Sequence, residues 1–221
     1  MQVGFVTLLL ILEPVVTEEL KFNFNQVLGR NYTLPRVITS GSNNALPPSP
    51  DELLSPTPQQ SGFGNLIMGG SEIITPVSTD FGIVIEKINA NARVVPNVNP
   101  ANEKEYMQAL SQGVAHAKGT ALPGRKGNIY LFSHSTDAPW NIVRYNAIFF
   151  LLNKLESDDR VILFYQGRRF DYIVFDKVIA GASETHYLTH QYEDSVLTLQ
   201  TCDPPGTTIN RLIVRAKLAG S

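Results

Sequence analysis

The sequence predicts a mainly β protein whose strands close, or nearly close, into a barrel with few helices beside it. Short apolar segments suited to strands recur from residue 80 to the C-terminal end. Two of them, 160–165 and 168–178, flank Gln166-Gly167, which is a hairpin signal. Only two segments after residue 80 carry apolar residues at helical spacing. Many short strands with few helices are typical of a barrel.

Each element after residue 80 has its own signal. Residues 82–88 alternate in part between apolar and polar side chains, as a strand does. Residues 102–113 place Tyr106, Ala109 and Leu110 on one helical face. A second helix is predicted over 141–154, where the apolar spacing indicates packing on the sheet. The strands that complete the set are 128–132, 160–165, 168–178, 196–202 and 211–218.

The first 79 residues have a different composition. Residues 39–70 are dominated by Ser, Gly, Asn and Pro, which predicts a largely irregular linker. Residues 13–33 are compatible with a short helix. Residues 3–12 form an apolar run about half as long as a membrane helix requires. No basic residue precedes this run and no small-residue cleavage site follows it, so it is a poor signal peptide. The residues alone favour a short helix docked on the domain.

Length and composition restrict the possible functions. The 221 residues suffice for one domain and an arm. Because the formal net charge is −2, no electrostatic argument supports binding to nucleic acid or to anionic lipid. The single cysteine excludes an internal disulfide. Outside the membrane, such a free thiol is either buried or functional.

The single cysteine, Cys202, is the most informative residue of the chain. It follows an apolar run, and Arg211 comes nine residues later, beyond the turn-forming stretch 203–208. Two strands joined by this loop would bring the thiol close to the guanidinium. A positive charge favours the nucleophilic thiolate, and a guanidinium can stabilise an oxyanion. Considered separately, each residue has a simpler explanation. Cys202 could be a small buried hydrophobe, and Arg211 could be a solvated charge at the edge of a strand.

A histidine would complete a nucleophilic site, and the chain has four. His134 follows an apolar strand in a Ser-His-Ser turn, where a side chain can leave the sheet. His116 is predicted at the end of a helix, in a structural or half-exposed role. His186 and His190 lie in a polar region whose residues favour extended chain, so we interpret them as surface residues. The sequence has no second cysteine and no helical histidine pair, so no metal or other cofactor is predicted.

Together these residues resemble the sortases, the membrane-anchored cysteine transpeptidases of the bacterial cell surface. Residues 198–202 are similar to the family's Thr-Leu-x-Thr-Cys box, and Arg211 to its catalytic arginine. Ser-His-Ser at 133–135 falls where the family has its histidine, and residues 81–88 resemble the first barrel strand. The nine-residue Cys-to-Arg separation is closest to that of class C, D and E-like sortases. The similarity extends over residues 80–218.

Two features differ from the family pattern. Ser133 stands where a glycine usually precedes the histidine, and serine fits the same turn if the backbone is not at positive φ. Pilin-type members often carry an Asp-aromatic lid motif in the N-terminal arm. The nearest dipeptide here, Asp80-Phe81, lies at the first strand, so a lid of that kind is not expected.

The resemblance implies a mechanism and its residues. Cys202 would attack the carbonyl between Thr and Gly of an LPxTG-like sorting signal, and the thioacyl group would then pass to an amine. His134 would protonate the leaving amine and deprotonate the incoming one. Arg211 would hold the substrate backbone and support the oxyanion.

The peptide groove is expected over the sheet beside the cysteine. Its walls would be residues 181–194, which would carry peptide specificity, and residues 203–210. Thr201 and Trp140 are the predicted substrate-binding residues, although packing explains a lone tryptophan equally well.

The resemblance also implies an arrangement in the cell. Residues 1–20 would be the outer end of a truncated membrane anchor, 21–79 an arm and linker, and 80–221 the catalytic barrel. The expected partners are the sorting-signal peptide of surface proteins, an amine acceptor on a cell-wall precursor or a pilin lysine, and the membrane, with no nucleic acid. The expected location is the extracytoplasmic face of the cell membrane.

Two other functions would use the same residues. A catalytically silent barrel would bind a peptide or a partner protein in the groove, and a displaced His134 would indicate it. A cysteine peptidase would release the acyl group to water. An added amine would raise product formation by a transpeptidase and leave a peptidase unchanged.

Overall fold

The computed structural model describes residues 17–30, 32–34, 72–135 and 148–220. Its helices are α1 (17–27), α2 (Glu103–Leu110) and α3 (His186–Thr189), with 3-10 turns at Glu86–Ile88 and Phe150–Lys154. Its strands are β1 (Tyr32–Thr33), β2 (Glu72–Ile73), β3 (Phe81–Ile85), β4 (Ala90–Val98), β5 (Val114–Ala117), β6 (Gly127–Phe132), β7 (Arg160–Tyr165), β8 (Arg168–Gly181), β9 (Ser195–Asp203) and β10 (Asn210–Leu218).

Eight of these strands close into a barrel, which confirms the predicted fold class. Their order is β10-β8-β7-β3-β4-β5-β6-β9, and β9 pairs with β10 to complete the circle. Most neighbours are antiparallel, but β4 and β5 are parallel, and so are β6 and β9. Because parallel neighbours run the same way, the C-terminal ends of β6 and β9 meet at one rim of the barrel.

Alternate residues of each strand fill the barrel interior, as the pleat of a strand requires. Ile129 and Leu131 of β6 and Leu197 and Leu199 of β9 are fully buried in the main core. Burying a side chain of this size contributes about 1.5–3 kcal/mol. The residues between them therefore face outward from the barrel.

A second apolar cluster covers the outward face of β5 and β6. It joins this face to α2 and to α3, so β6 is buried on both sides. That double burial explains why its sequence is apolar without clear alternation. The cluster is formed by Val98, Ala109, Leu110, Ala115, Ala117, Tyr130 and Phe132, with Tyr187 and Leu188 packed against it.

Three local predictions differ from the structure. The helix predicted over 102–113 ends at Leu110, and the chain turns at Gly113, where φ is +157° and a Cβ would lie 2.4 Å from the Arg93 carbonyl oxygen. His116 therefore lies in β5, where it is buried, and not at a helix end. Residues 186–189, predicted as extended chain, form the single turn of α3 because tertiary contacts hold them there.

The helix predicted over 141–154 falls largely outside the described residues. Its described end forms the 3-10 turn Phe150–Lys154, and Phe149, Leu152 and Leu155 are fully buried in the main core. Within the described ranges, no helix is long and apolar enough to cross a membrane.

Candidate active site

Cys202 and Arg211 are direct partners across β9 and β10. Opposed residues on antiparallel strands carry their side chains on the same face, with Cβ atoms about 4.5–5.5 Å apart. Leu199 and Thr201 are buried, so strand alternation places Cys202 on the outward face. The thiol is free and half-buried. The predicted nucleophile and the predicted arginine therefore lie side by side at the rim of the barrel.

The loop between β9 and β10 holds the Arg211 side chain. Its Nη1 donates to the Thr208 carbonyl at 3.2 Å and to the Asn210 carbonyl at 3.0 Å. The loop itself is tightened by Thr207, whose hydroxyl donates to the Pro204 carbonyl at 2.8 Å. Arg211 Nη2 and Nε have no hydrogen-bond partner in the described part of the chain. These donors are available for a substrate carbonyl or an oxyanion.

The parallel pairing of β6 with β9 brings His134 to the same rim. Phe132 is in register with Gln200, and the Ser133 backbone N–H donates to the Gln200 carbonyl at 3.1 Å. His134 follows Phe132 by two residues, just as Cys202 follows Gln200 by two. The half-buried His134 thus stands at the end of the strand next to that of Cys202.

Thr201 links the ends of these two strands. Its side chain is buried, and its hydroxyl donates to the Ser133 carbonyl at 3.0 Å. The residue before Cys202 is thus bonded to the residue before His134. The substrate-binding role of Thr201 stays a prediction, since the observed contact is with the histidine strand. Trp140, the other predicted substrate-binding residue, lies outside the described residues.

Serine fits at position 133 without strain. Ser133 is not among the residues at positive φ, so its backbone conformation does not require the glycine of the family pattern. Its side chain is buried, and its Oγ has no hydrogen-bond partner among the described residues.

Sequence reasoning missed two polar residues of this rim, Tyr130 and Gln200. The Tyr130 hydroxyl donates to Gln200 Oε1. Burial raises the pKa of the Tyr130 phenol, and the positive charge of Arg211 partly opposes that rise. Tyr130 therefore lies within the electrostatic reach of the predicted arginine. Nothing in the sequence singled it out, because the register of two distant parallel strands is not a local signal.

The segment of residues 181–194, here called the wall segment, joins β8 to β9 beside this site. It starts at Gly181, which pairs with Asn210 of β10, and it contains α3. His186 and His190 are exposed on it, as expected of surface residues. The wall segment therefore begins next to the end of β10 that carries Arg211, and its role as one side of the peptide groove stays a prediction.

A thiol, a guanidinium and a histidine at one rim are the groups that cysteine acyl-transfer chemistry uses. The family model described as a sortase domain matches residues 83–219. Because the match covers more than half of the chain, the protein belongs to the sortase family, whose members are cysteine transpeptidases.

Solved sortases share the fold of this chain. A sortase D5 transpeptidase from Clostridium perfringens is 24% identical with a TM-score of 0.52, over 66% of this chain and 82% of that one. Sortase C-1 from Actinomyces oris is 24% identical with a TM-score of 0.54, over 66% and 75%. Sortase C from C. perfringens, solved with the C-terminal cell wall sorting motif, is 23% identical with a TM-score of 0.53, over 63% and 70%. No curated protein matches the chain in sequence.

Proposed function

We propose that this sortase cleaves an LPxTG-like sorting signal between Thr and Gly and transfers the acyl group to an amine. Cys202 is the nucleophile, His134 the general acid and base, and Arg211 the group that binds the peptide backbone and the oxyanion. The observation that carries this proposal is the direct pairing of Cys202 with Arg211 at the strand end next to His134.

The proposed reaction consists of two acyl transfers. The Cys202 thiolate attacks the Thr carbonyl carbon, and the N–H donors of Arg211 stabilise the resulting oxyanion. As the C–N bond breaks, the His134 imidazolium gives its proton to the Gly nitrogen, which leaves a thioester on Cys202. Neutral His134 then takes a proton from the incoming amine. That amine attacks the thioester carbonyl, and the new amide bond releases the Cys202 thiolate.

The binding surface for the peptide follows from the position of these groups. Cys202 and Arg211 face outward, so the peptide lies over the outer face of β9 and β10, between the wall segment and the loop 203–210. Thr201 and Trp140 are retained as proposed substrate-binding residues. One structural neighbour, a C. perfringens sortase C, is described together with its C-terminal cell wall sorting motif, which supports a peptide of that class here.

The proposed partners and location complete this function. The acceptor is an amine on a cell-wall precursor or a pilin lysine. The barrel domain, residues 80–221, works on the extracytoplasmic face of the membrane. It is joined through the arm and linker of residues 21–79 to residues 1–20, which serve as a membrane anchor.

Product analysis with and without an amine tests the proposal. The protein is incubated with an LPxTG-type peptide, alone and with a triglycine acceptor, and the products are separated by liquid chromatography with mass detection. We expect the amine to raise total product formation and to give a new Thr-Gly bond, because the amine attacks the thioester faster than water does. Cys202→Ala should give neither product.

Two results would count against this function. Cleavage at a rate that the amine does not change would indicate a cysteine peptidase. Full turnover by Cys202→Ala would remove the proposed nucleophile altogether. The His134→Ala variant serves as a second control, because it keeps the thiol and loses the acid and base.

A further inference from the structure

One buried side chain of the barrel, that of Asn128, is bonded to the middle of the wall segment. Asn128 lies on β6, is 3% exposed, and points its Nδ2 at the wall segment. The two N–H groups of Nδ2 donate to the carbonyls of Tyr187 at 2.8 Å and Leu188 at 3.2 Å. These carbonyls belong to α3 and would otherwise lack a partner within a single turn of helix.

A second buried side chain sets the direction of this amide. The hydroxyl of Thr198, which is 0% exposed, donates to Asn128 Oδ1 at 2.8 Å. Because a hydroxyl can donate to the amide oxygen and carbonyls can only accept, this network admits one orientation of the Asn128 amide. Thr198 and Asn128 therefore form a buried polar pair. The amide nitrogen and oxygen of Asn128 and the hydroxyl of Thr198 all have a hydrogen-bond partner.

Other contacts agree with this anchoring. The Tyr187 and Leu188 side chains pack on the second apolar cluster. Arg215 Nη1 donates to the Tyr192 hydroxyl at 3.0 Å, and its guanidinium lies 5.7 Å from the centre of the Tyr187 ring. Arg215 is itself held by Asp176, at 2.7 Å from Nη2. The wall segment is thus bonded at its middle by Asn128 and at its end by Arg215.

We propose that Asn128, oriented by Thr198, is a positioning residue that keeps the wall segment in place before the peptide arrives. This inference rests on the proposed function, in which the wall segment forms one side of the peptide groove. A groove that is already formed spares the peptide the entropy cost of ordering it. Asn128 touches neither the peptide nor the thiol, so its loss should raise KM for the peptide and leave the reactivity of Cys202 unchanged.

The test begins with hydrogen exchange, which needs no substrate. In the wild-type chain the amides of Leu188, Thr189 and His190, bonded within α3, should be protected. In Asn128→Asp, which keeps the shape and loses both donors, they should exchange about tenfold faster or more. Thr198→Val, which removes only the orienting hydroxyl, should show the same change to a smaller extent. The matched control is Asn153→Asp, which adds the same charge at an exposed residue that makes no hydrogen bond to the wall segment.

Kinetics then separate positioning from general loss of structure. With the LPxTG-type peptide, Asn128→Asp should raise KM about tenfold, the effect of losing one to two hydrogen bonds. The rate at which iodoacetamide alkylates Cys202 should stay within twofold of wild type. If part of the Asn128→Asp protein were simply unfolded, the apparent kcat would fall and KM would stay unchanged.

Several outcomes would overturn the proposal, and each is distinct from a failure of the proposed function. Wild-type wall amides that exchange at the rate of an unfolded chain would show that nothing holds the segment. Folded Asn128→Asp or Thr198→Val with unchanged exchange would show that another contact does. Faster exchange with an unchanged KM would show that the wall segment is not part of the groove. An enzyme inactive on every peptide would contradict the function alone, since the exchange result stands without it.

Discussion

Arg211 gives the proposed site its chemical specificity at the scale of single residues. One nitrogen of its guanidinium is tied to two loop carbonyls, and the other N–H groups remain available on the face that Cys202 shares. A lysine has a single charged nitrogen and no planar fork, so it cannot bond the loop and the oxyanion with the same geometry.

Arg211→Lys should therefore lower kcat/KM by about 10²–10³, the usual effect of losing one oxyanion donor. Arg125→Lys, at an exposed residue before β6, is the control and should retain wild-type kinetics. Steady-state rates with the peptide and an amine acceptor measure both variants. An Arg211→Lys enzyme within a few-fold of wild type would show that positive charge alone is required.

The sequence was most informative about single residues of the candidate site. The Thr-Leu-Gln-Thr-Cys run and its spacing to Arg211 predicted a strand–loop–strand unit, and the structure pairs residues 202 and 211 directly. The same reasoning could not predict that Thr201 bonds the Ser133 carbonyl, or that Asn128 bonds the wall segment. Those contacts join residues about 60–70 positions apart in the chain.

At the scale of elements, the decisive feature is that β6 and β9 are parallel neighbours. Each was predicted as a strand from its apolar run, and each forms one. Their adjacency follows from the closure of the whole barrel and has no local signal. His116 shows the opposite error, because a helical pattern was extended too far and a residue of β5 was assigned to it.

His116 makes β5 sensitive to acid. Nδ1 accepts from the Asn97 backbone N–H at 3.2 Å, and Nε2 lies 3.0 Å from the Ala121 carbonyl and 2.9 Å from Thr120 Oγ1. Burial lowers the pKa of His116 below its ordinary value of 6.5, and the bond to Ala121 partly opposes this. The unfolded chain thus takes up a proton at higher pH than the folded one. The stability that depends on neutral His116 is complete above about pH 6.5 and falls as the pH drops below it.

Replacing His116 by glutamine, which does not titrate, should weaken this dependence. The loss in unfolding free energy between about pH 7.5 and pH 5.5 should be smaller in His116→Gln than in wild type by up to about 1 kcal/mol. Urea unfolding at the two pH values measures it. Equal losses in the two proteins would show that His116 does not contribute to the acid sensitivity.

At the scale of the whole molecule, the barrel supplies two kinds of support for one rim. The interior, packed by side chains such as Leu197 and Leu199, fixes the strand that carries Cys202. The outer cluster on β5 and β6 fixes α2 and α3, and with α3 the wall segment. Fold class and six of the eight barrel strands were predictable because alternation and turn residues are local signals, whereas β4 and β5 were not predicted. The wall geometry was not, because it depends on buried polar contacts between distant segments.

In the proposed mechanism, Cys202 forms the acyl-enzyme at this rim. The most direct measurement is the intact mass of the protein after incubation with an LPxTG-type peptide without added amine, followed by mapping of the modified residue. We predict a mass increase equal to the acyl group of the fragment that ends in Thr, located on Cys202 and absent from both His134→Ala and Cys202→Ala. An adduct on another residue, or turnover of the peptide by Cys202→Ala, would show that Cys202 is not the nucleophile.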